Sequence, residues 1–178
     1  NLAVGESVKS VRYFEDRAFI TTFRNVDPLR AIDLSDPELP RALGHVPIPG
    51  FNSYMQFISA DRLLTIGTNS ANGFRGRAMV TLFNVSDLNN PRRVDQYNLP
   101  KFSTSAASLD HHAFGWFAPH KILAVPISRS YRDRFDEDDD GYRETIRYVS
   151  EDALAMLNVG PADSLSLIHI SEPTRQDR

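Results

Sequence analysis

A turn motif that returns at a fixed interval constrains this chain more than any other feature. Leu29-Arg30-Ala31-Ile32-Asp33-Leu34-Ser35-Asp36-Pro37 is echoed by Val80-Thr81-Leu82-Phe83-Asn84-Val85-Ser86-Asp87-Leu88, so that Asp33 and Asn84 are equivalents 51 residues apart. A third copy, Ala155-Met156-Leu157-Asn158-Val159-Gly160-Pro161, places Asn158 in the same role 74 residues further on, and the excess of 23 falls on an acidic insertion. A second anchor precedes each copy. Asp16-Arg17, Asp61-Arg62 and His120-Lys121 each open a short apolar run.

Each repeat reads as four strands: a first apolar run, a tight turn, a short apolar strand, a variable loop, a third strand ending in Asp or Asn, a Ser-Asp-Pro type turn, and a fourth strand. Pro37 after Asp36 fixes φ near the value that the second position of a type I turn requires, and the Asp side chain can cap its own backbone. Pro40 and Pro91 stop a helix from continuing. The third strand Met79–Val85 is β-branched, aromatic and nearly all apolar, as expected of a strand buried on both faces. Short strands at a period of about 50 residues fit the blades of a β-propeller. The alternative is a β-sandwich of unrelated strands, in which nothing calls for a turn motif at a fixed interval. The fold expected is therefore all-β: a propeller fragment of consecutive four-stranded antiparallel blades, open at both ends. Its blades are expected over approximately 6–51, 52–102 and an incomplete 109–164, with 1–164 as the partial propeller. The opening Asn1-Leu2-Ala3-Val4 reads as a cut, so the remaining blades of the same chain are expected partners.

The end reads differently. Leu165–Arg175, LSLIHISEPTR, is identical to the translation of a sequencing-library transposase adapter, and Gln176 fits the one adapter base left over. Residues 165–178 are accordingly set apart from the propeller as an artefactual tail belonging to no blade, the alternative being a natural amphipathic tail.

Arg17-Ala18-Phe19-Ile20-Thr21-Thr22-Phe23-Arg24-Asn25-Val26-Asp27-Pro28-Leu29, Ile32-Asp33-Leu34-Ser35-Asp36-Pro37 and Ile48-Pro49-Gly50-Phe51 resemble the prokaryotic secreted C-terminal β-propeller domain family, which is distantly WD-like. Leu82-Phe83-Asn84-Val85-Ser86-Asp87, Asp110-His111-His112-Ala113-Phe114 and Leu123-Ala124-Val125-Pro126-Ile127-Ser128 continue the resemblance in order, over roughly residues 6 to 130. The acidic insertion beyond departs from the pattern. The resemblance implies an extracellular or cell-envelope location and carries over no catalytic residue.

The strongest local motif is Asp136-Glu137-Asp138-Asp139-Asp140-Gly141-Tyr142-Arg143-Glu144. Asp136, Asp138 and Asp140 stand at loop positions 1, 3 and 5, where three oxygens can surround one ion. Gly141 at position 6 permits the sharp turn, Tyr142 offers its carbonyl at 7, and Glu144 stands at 9. An EF-hand would need a carboxylate at 12, where Arg147 stands, and no helices flank the loop. The pattern resembles the calcium loops on β-hairpins of integrin-type propellers, so calcium is the expected cofactor, held by Asp136, Asp138, Asp140, Tyr142 and Glu144. The alternative is a solvated acidic loop balanced by Arg132, Arg134, Arg143 and Arg147.

Asp110-His111-His112 invites a metal or general-base reading. Adjacent residues on a strand point to opposite faces, so the two histidines are not expected to converge on one ion. A structural Asp–His hydrogen bond near the central channel is then expected. Trp116 and Phe117 are expected to pack between blades. No nucleophile elbow and no phosphate loop is present.

Composition excludes several classes. A net charge of -3 without a basic cluster argues against nucleic acid, and no apolar run is long enough for a membrane span. Cysteine is absent, which removes disulfides and thiolate metal sites. Three functions stay open. One is a non-catalytic binding or scaffolding module of the envelope or extracellular space, stabilised by calcium, with a protein or cell-surface ligand. The second is a channel-sited, hydrolase-like enzyme completed by further blades, to which Asp110 or His111 contributes. The third is a cytoplasmic protein-interaction propeller. Converging polar residues in the channel would favour the enzyme, and an upstream signal peptide would remove the cytoplasmic reading.

Overall fold

The computed structural model describes residues 7–23, 27–48, 50–69, 76–136, 144–172 and 174–177. Its first sheet is a four-stranded antiparallel meander, β1 (Ser7–Phe14), β2 (Arg17–Phe23), β3 (Asp27–Asp33) and β4 (Arg41–Ile48). The second repeats it with β5 (Phe51–Ser59), β6 (Arg62–Asn69), β7 (Arg77–Asn84) and β8 (Arg92–Asn98). The third comprises β9 (Ser103–Thr104), β10 (Gly115–Phe117), β11 (Ile122–Asp136), β12 (Glu144–Val159), β13 (Leu165–Ile170) and β14 (Thr174–Asp177). No sheet closes on itself.

The repeat seen in sequence is a repeat of hydrogen bonds. The residue that follows each Asp or Asn at the end of the third strand donates to the turn between the first two strands: Leu34 to the carbonyl of Asp16 (2.7 Å), Val85 to Asp61 (2.9 Å) and Val159 to Lys121 (2.9 Å). Asp33 Oδ1 accepts from the Ser35 amide and Asn84 Oδ1 from that of Ser86, while Asp36 and Asp87 each accept from the amide two residues on. The Asp/Asn positions are thus selected for caps that terminate the third strand and start the turn.

Blades stack through alternating side chains. From β6 and β7, Leu63, Met79 and Phe83 join Phe19, Leu29, Ala31 and Ile48 of the first sheet in one core. Their neighbours Leu64, Ile66, Val80 and Leu82 face the other way, joining Leu123, Val125, Ala155 and Leu157 of the third sheet. Period-2 alternation therefore divides one sheet's apolar residues between two interfaces. First strands converge at one edge, β1 lying against β5 and β5 against Ala106–Ser108, while β8 and β13 meet at the other. Across the inner edge, Arg12 donates from Nε to the Met55 carbonyl (2.7 Å) and lies over the Tyr54 ring, which packs on Phe114 at 5.1 Å. Near β8, Asp163 takes a two-pronged ion pair from Arg62 (2.8 and 2.6 Å), and Asp95 accepts from the Leu165 amide (2.6 Å).

Two expectations are corrected. Residues 165–170, set apart as a tail outside the blades, instead form β13, paired with β12 from Val159↔Leu165 to Ala155↔Ile170. The free edge of β12 offers unpaired amides and carbonyls, and any extended, apolar-rich segment can take it up. Phe117 does not pack between blades but is 54% exposed, because β10 sends Trp116 to the core and its neighbour to the opposite face.

Candidate functional site

The third blade departs from the repeat in two places, and both carry the candidate chemistry. The first is an arm. β11 and β12 have 15 and 16 residues, against 7 to 9 for the strands of the other two sheets. Their ladder runs unbroken from Ile122↔Asn158 to Asp136↔Glu144, past the partners that β9 and β14 supply. Cross-strand pairs hold the base of the arm. Arg129 and Glu151 stand opposite each other and pair at 3.3 Å, Tyr131 donates its hydroxyl to Glu151 (2.9 Å), and Arg132 lies over the opposing Tyr148 ring. The last rung pairs the backbone of Asp136 with that of Glu144, loop positions 1 and 9. Asp138, Asp140 and Tyr142, the remaining residues expected to hold calcium, lie outside the described residues.

The second departure is at the inner edge. In the first two blades the first strand is continuous. In the third, β9 pairs with β11 at Arg129 and Ser128, β10 pairs with it at Ala124–Ile122, and the ten residues between them leave the sheet. Two short 3-10 turns fill the gap. Ser105 caps the first, accepting from the Ala107 amide while donating to the Pro126 carbonyl (2.6 Å). Asp110 caps the second, accepting at Oδ1 from the His112 amide (2.9 Å). Ala107 and Phe114 are buried and pin the excursion at both sides, whereas Leu109, Asp110, His111 and His112 stand in solvent.

The strand assumption therefore fails at Asp110-His111-His112. A 3-10 turn places successive side chains on neighbouring sides of a tight coil, not on opposite faces. The rings of His111 and His112 lie 3.9 Å apart, and Nδ1 of His112 is 3.0 Å from Asp110 Oδ1. The backbone bond from His112, reinforced by its ring, holds the Asp110 carboxyl below its ordinary pKa. The expected Asp–His hydrogen bond is present, and so is the convergence that sequence reasoning ruled out. The signal that could have found it is local: Ser105 and Asp110 are both capping residues, and the stretch between them lacks alternation.

The family model of the Beta propeller domain matches residues 1–172. This chain belongs to the Beta propeller domain family. The propeller is 40% identical over 125 residues to an uncharacterized protein of Methanocaldococcus jannaschii, covering 70% of this chain and 19% of that protein. It is 35% identical over 133 residues to an uncharacterized protein of Archaeoglobus fulgidus, covering 72% of this chain and 20% of that protein. The propeller segment thus spans about a fifth of the length of the curated relatives it matches. Among the described residues no helix is long and apolar enough to cross a membrane.

Proposed function

We propose that this propeller is a non-catalytic binding module of the cell envelope or extracellular space, in which the long arm of the third blade presents a calcium-stabilised loop to a protein or cell-surface ligand. The observation that carries the reading is the ladder ending at Asp136↔Glu144. It supports a hairpin whose last paired residues, Asp136 and Glu144, flank the stretch of sequence that contains Asp138 and Asp140. Without a cation, the six carboxylates that the sequence sets between 136 and 144 repel one another. Calcium would accept oxygens from positions 1, 3, 5 and 9 and the Tyr142 carbonyl. Loops displayed on a rigid scaffold are where binding residues concentrate, and the arm is the largest departure from the scaffold here.

Calorimetric titration of calcium into the chain and its Asp138→Ala, Asp140→Ala variant tests the metal. Binding heat and a raised melting temperature are expected for the parent only, and magnesium should have less effect. Equal heats and equal melting shifts in both proteins contradict calcium. The ligand role is tested by retention on isolated cell-wall material, with residues 132–148 replaced by Asn-Gly to leave a two-residue hairpin. Equal retention of both proteins contradicts a role for the arm. The match of residues 165–175 to an adapter translation supports a non-native origin for β13, and a genomic copy of the gene encoding that stretch contradicts it.

A further inference from the structure

The second departure from the repeat supports a site of different chemistry. The ligating atoms of Asp110, His111 and His112 all lie within 4.8 Å of one another. Donors bound to one ion of the zinc class at roughly 2.0–2.2 Å stand about 2.8–3.6 Å apart, for angles between a right angle and the tetrahedral value. Asp110 Oδ1 and His112 Nδ1 are already 3.0 Å apart. An ion can therefore bridge these two atoms with little movement, and the His111 ring, tilted against that of His112, needs to turn toward it. The backbone is held from both sides, by Ser105 on the Pro126 carbonyl and by Phe114 against Tyr54, so ordering the ligands does not require ordering the chain. All three side chains are exposed, so an ion can reach them and keep coordination positions open.

We propose that Asp110, His111 and His112 bind a single divalent transition-metal ion of the zinc class at the interrupted inner strand of the third blade, with its open positions turned to solvent. Imidazole ligands select zinc, nickel, cobalt or copper over calcium and magnesium, which sets this site apart from the acidic arm. When the metal binds, it takes the lone pair of His112 Nδ1 and one from the Asp110 carboxylate; the ring then carries its proton on Nε2, and a proton is released to water only from a ring that holds two. Three protein ligands leave room for a further donor from water or a bound ligand.

The test is calorimetric titration of zinc into the tag-free full chain carrying Asp138→Ala and Asp140→Ala, which removes the acidic loop's contribution, with cobalt absorption as a second readout. One zinc ion should bind with micromolar affinity, and cobalt should give visible absorption. His111→Ala and His112→Ala should each weaken binding by about tenfold or more. Asp110→Asn, which keeps a capping side chain but removes the charge, should weaken it comparably while leaving the turn formed. Far-UV circular dichroism should be unchanged in all three. Absence of zinc binding to the parent, or binding undiminished in the His111→Ala, His112→Ala double variant, overturns the site.

Discussion

In the second blade β6 and β7 are buried on both faces, whereas in the third blade β12 buries one face only. Ala155, Leu157 and Val159 turn toward the second blade, while Tyr148 and Leu154 lie in solvent. The two blades nevertheless share the closing hydrogen bond, Val85 to Asp61 and Val159 to Lys121, both at 2.9 Å. What differs is the first strand, continuous in one and interrupted in the other, and the arm, absent in one and long in the other. The repeat provides the frame, and the chemically distinctive side chains collect where the third blade leaves it.

The largest effect should come from truncating the doubly covered strand. Phe83→Ala empties a fully buried site in the core between the first two blades and should cost about 3–5 kcal/mol. Leu154→Ala on the open face of β12 should stay within about 0.5 kcal/mol. Urea midpoints check both, and equal losses would break the comparison. Gly44→Ala comes next. Gly44 donates to the Leu88 carbonyl (2.8 Å), and an added Cβ would lie 2.2 Å from the Asn89 carbonyl oxygen and 2.6 Å from Pro91. A loss of about 1–3 kcal/mol is expected, since the obstacle is backbone and cannot swing aside.

The second and third blades are joined by Arg62 and Asp163, and Arg62→Ala should cost about 1–2 kcal/mol, discounted because Asp163 keeps part of its side chain in water. The hydrogen bond from Arg62 lowers the Asp163 pKa from its ordinary 3.8. A depressed carboxylate stabilises the fold fully above its unfolded value and loses that contribution as pH falls through the folded one. The difference between parent and Arg62→Ala should therefore hold from neutral pH to about 5 and shrink below 3.8. A difference that grows on acidification would contradict the pairing. The smallest effect concerns Thr65 and Thr81, which face each other across β6 and β7, fully buried and with hydroxyls lacking a partner among the described residues. Replacing both with Val should be neutral or stabilise by up to about 1 kcal/mol, read as a melting shift.

Much of the frame was legible in the sequence because it rests on local chemistry. Asp33, Asn84 and the Asp36 and Asp87 turns announce themselves through capping side chains and a fixed interval, and the unbroken apolar run Met79–Val85 reads directly as a strand covered on both sides. The site was less legible. Whether His111 and His112 diverge or converge depends on whether the segment pairs with β11, a decision made by residues far away in sequence. Ser105 bonding to Pro126 and Phe114 seating on Tyr54 take the segment out of the sheet, and neither contact leaves a periodic trace. The length of the arm was legible only as an excess of residues, since continuous pairing to Asp136↔Glu144 is a property of two strands together. For the same reason β13 was unreadable as part of a blade: its place is set by the open edge of β12.

The most direct test of the claim that ligand chemistry resides in the third blade's departures from the repeat is hydrogen exchange, followed peptide by peptide with and without calcium. Exchange over residues 130–150 should slow when calcium is present, with β6 and β7 of the second blade unchanged. No protection of the arm, or a uniform change across both blades, would contradict it.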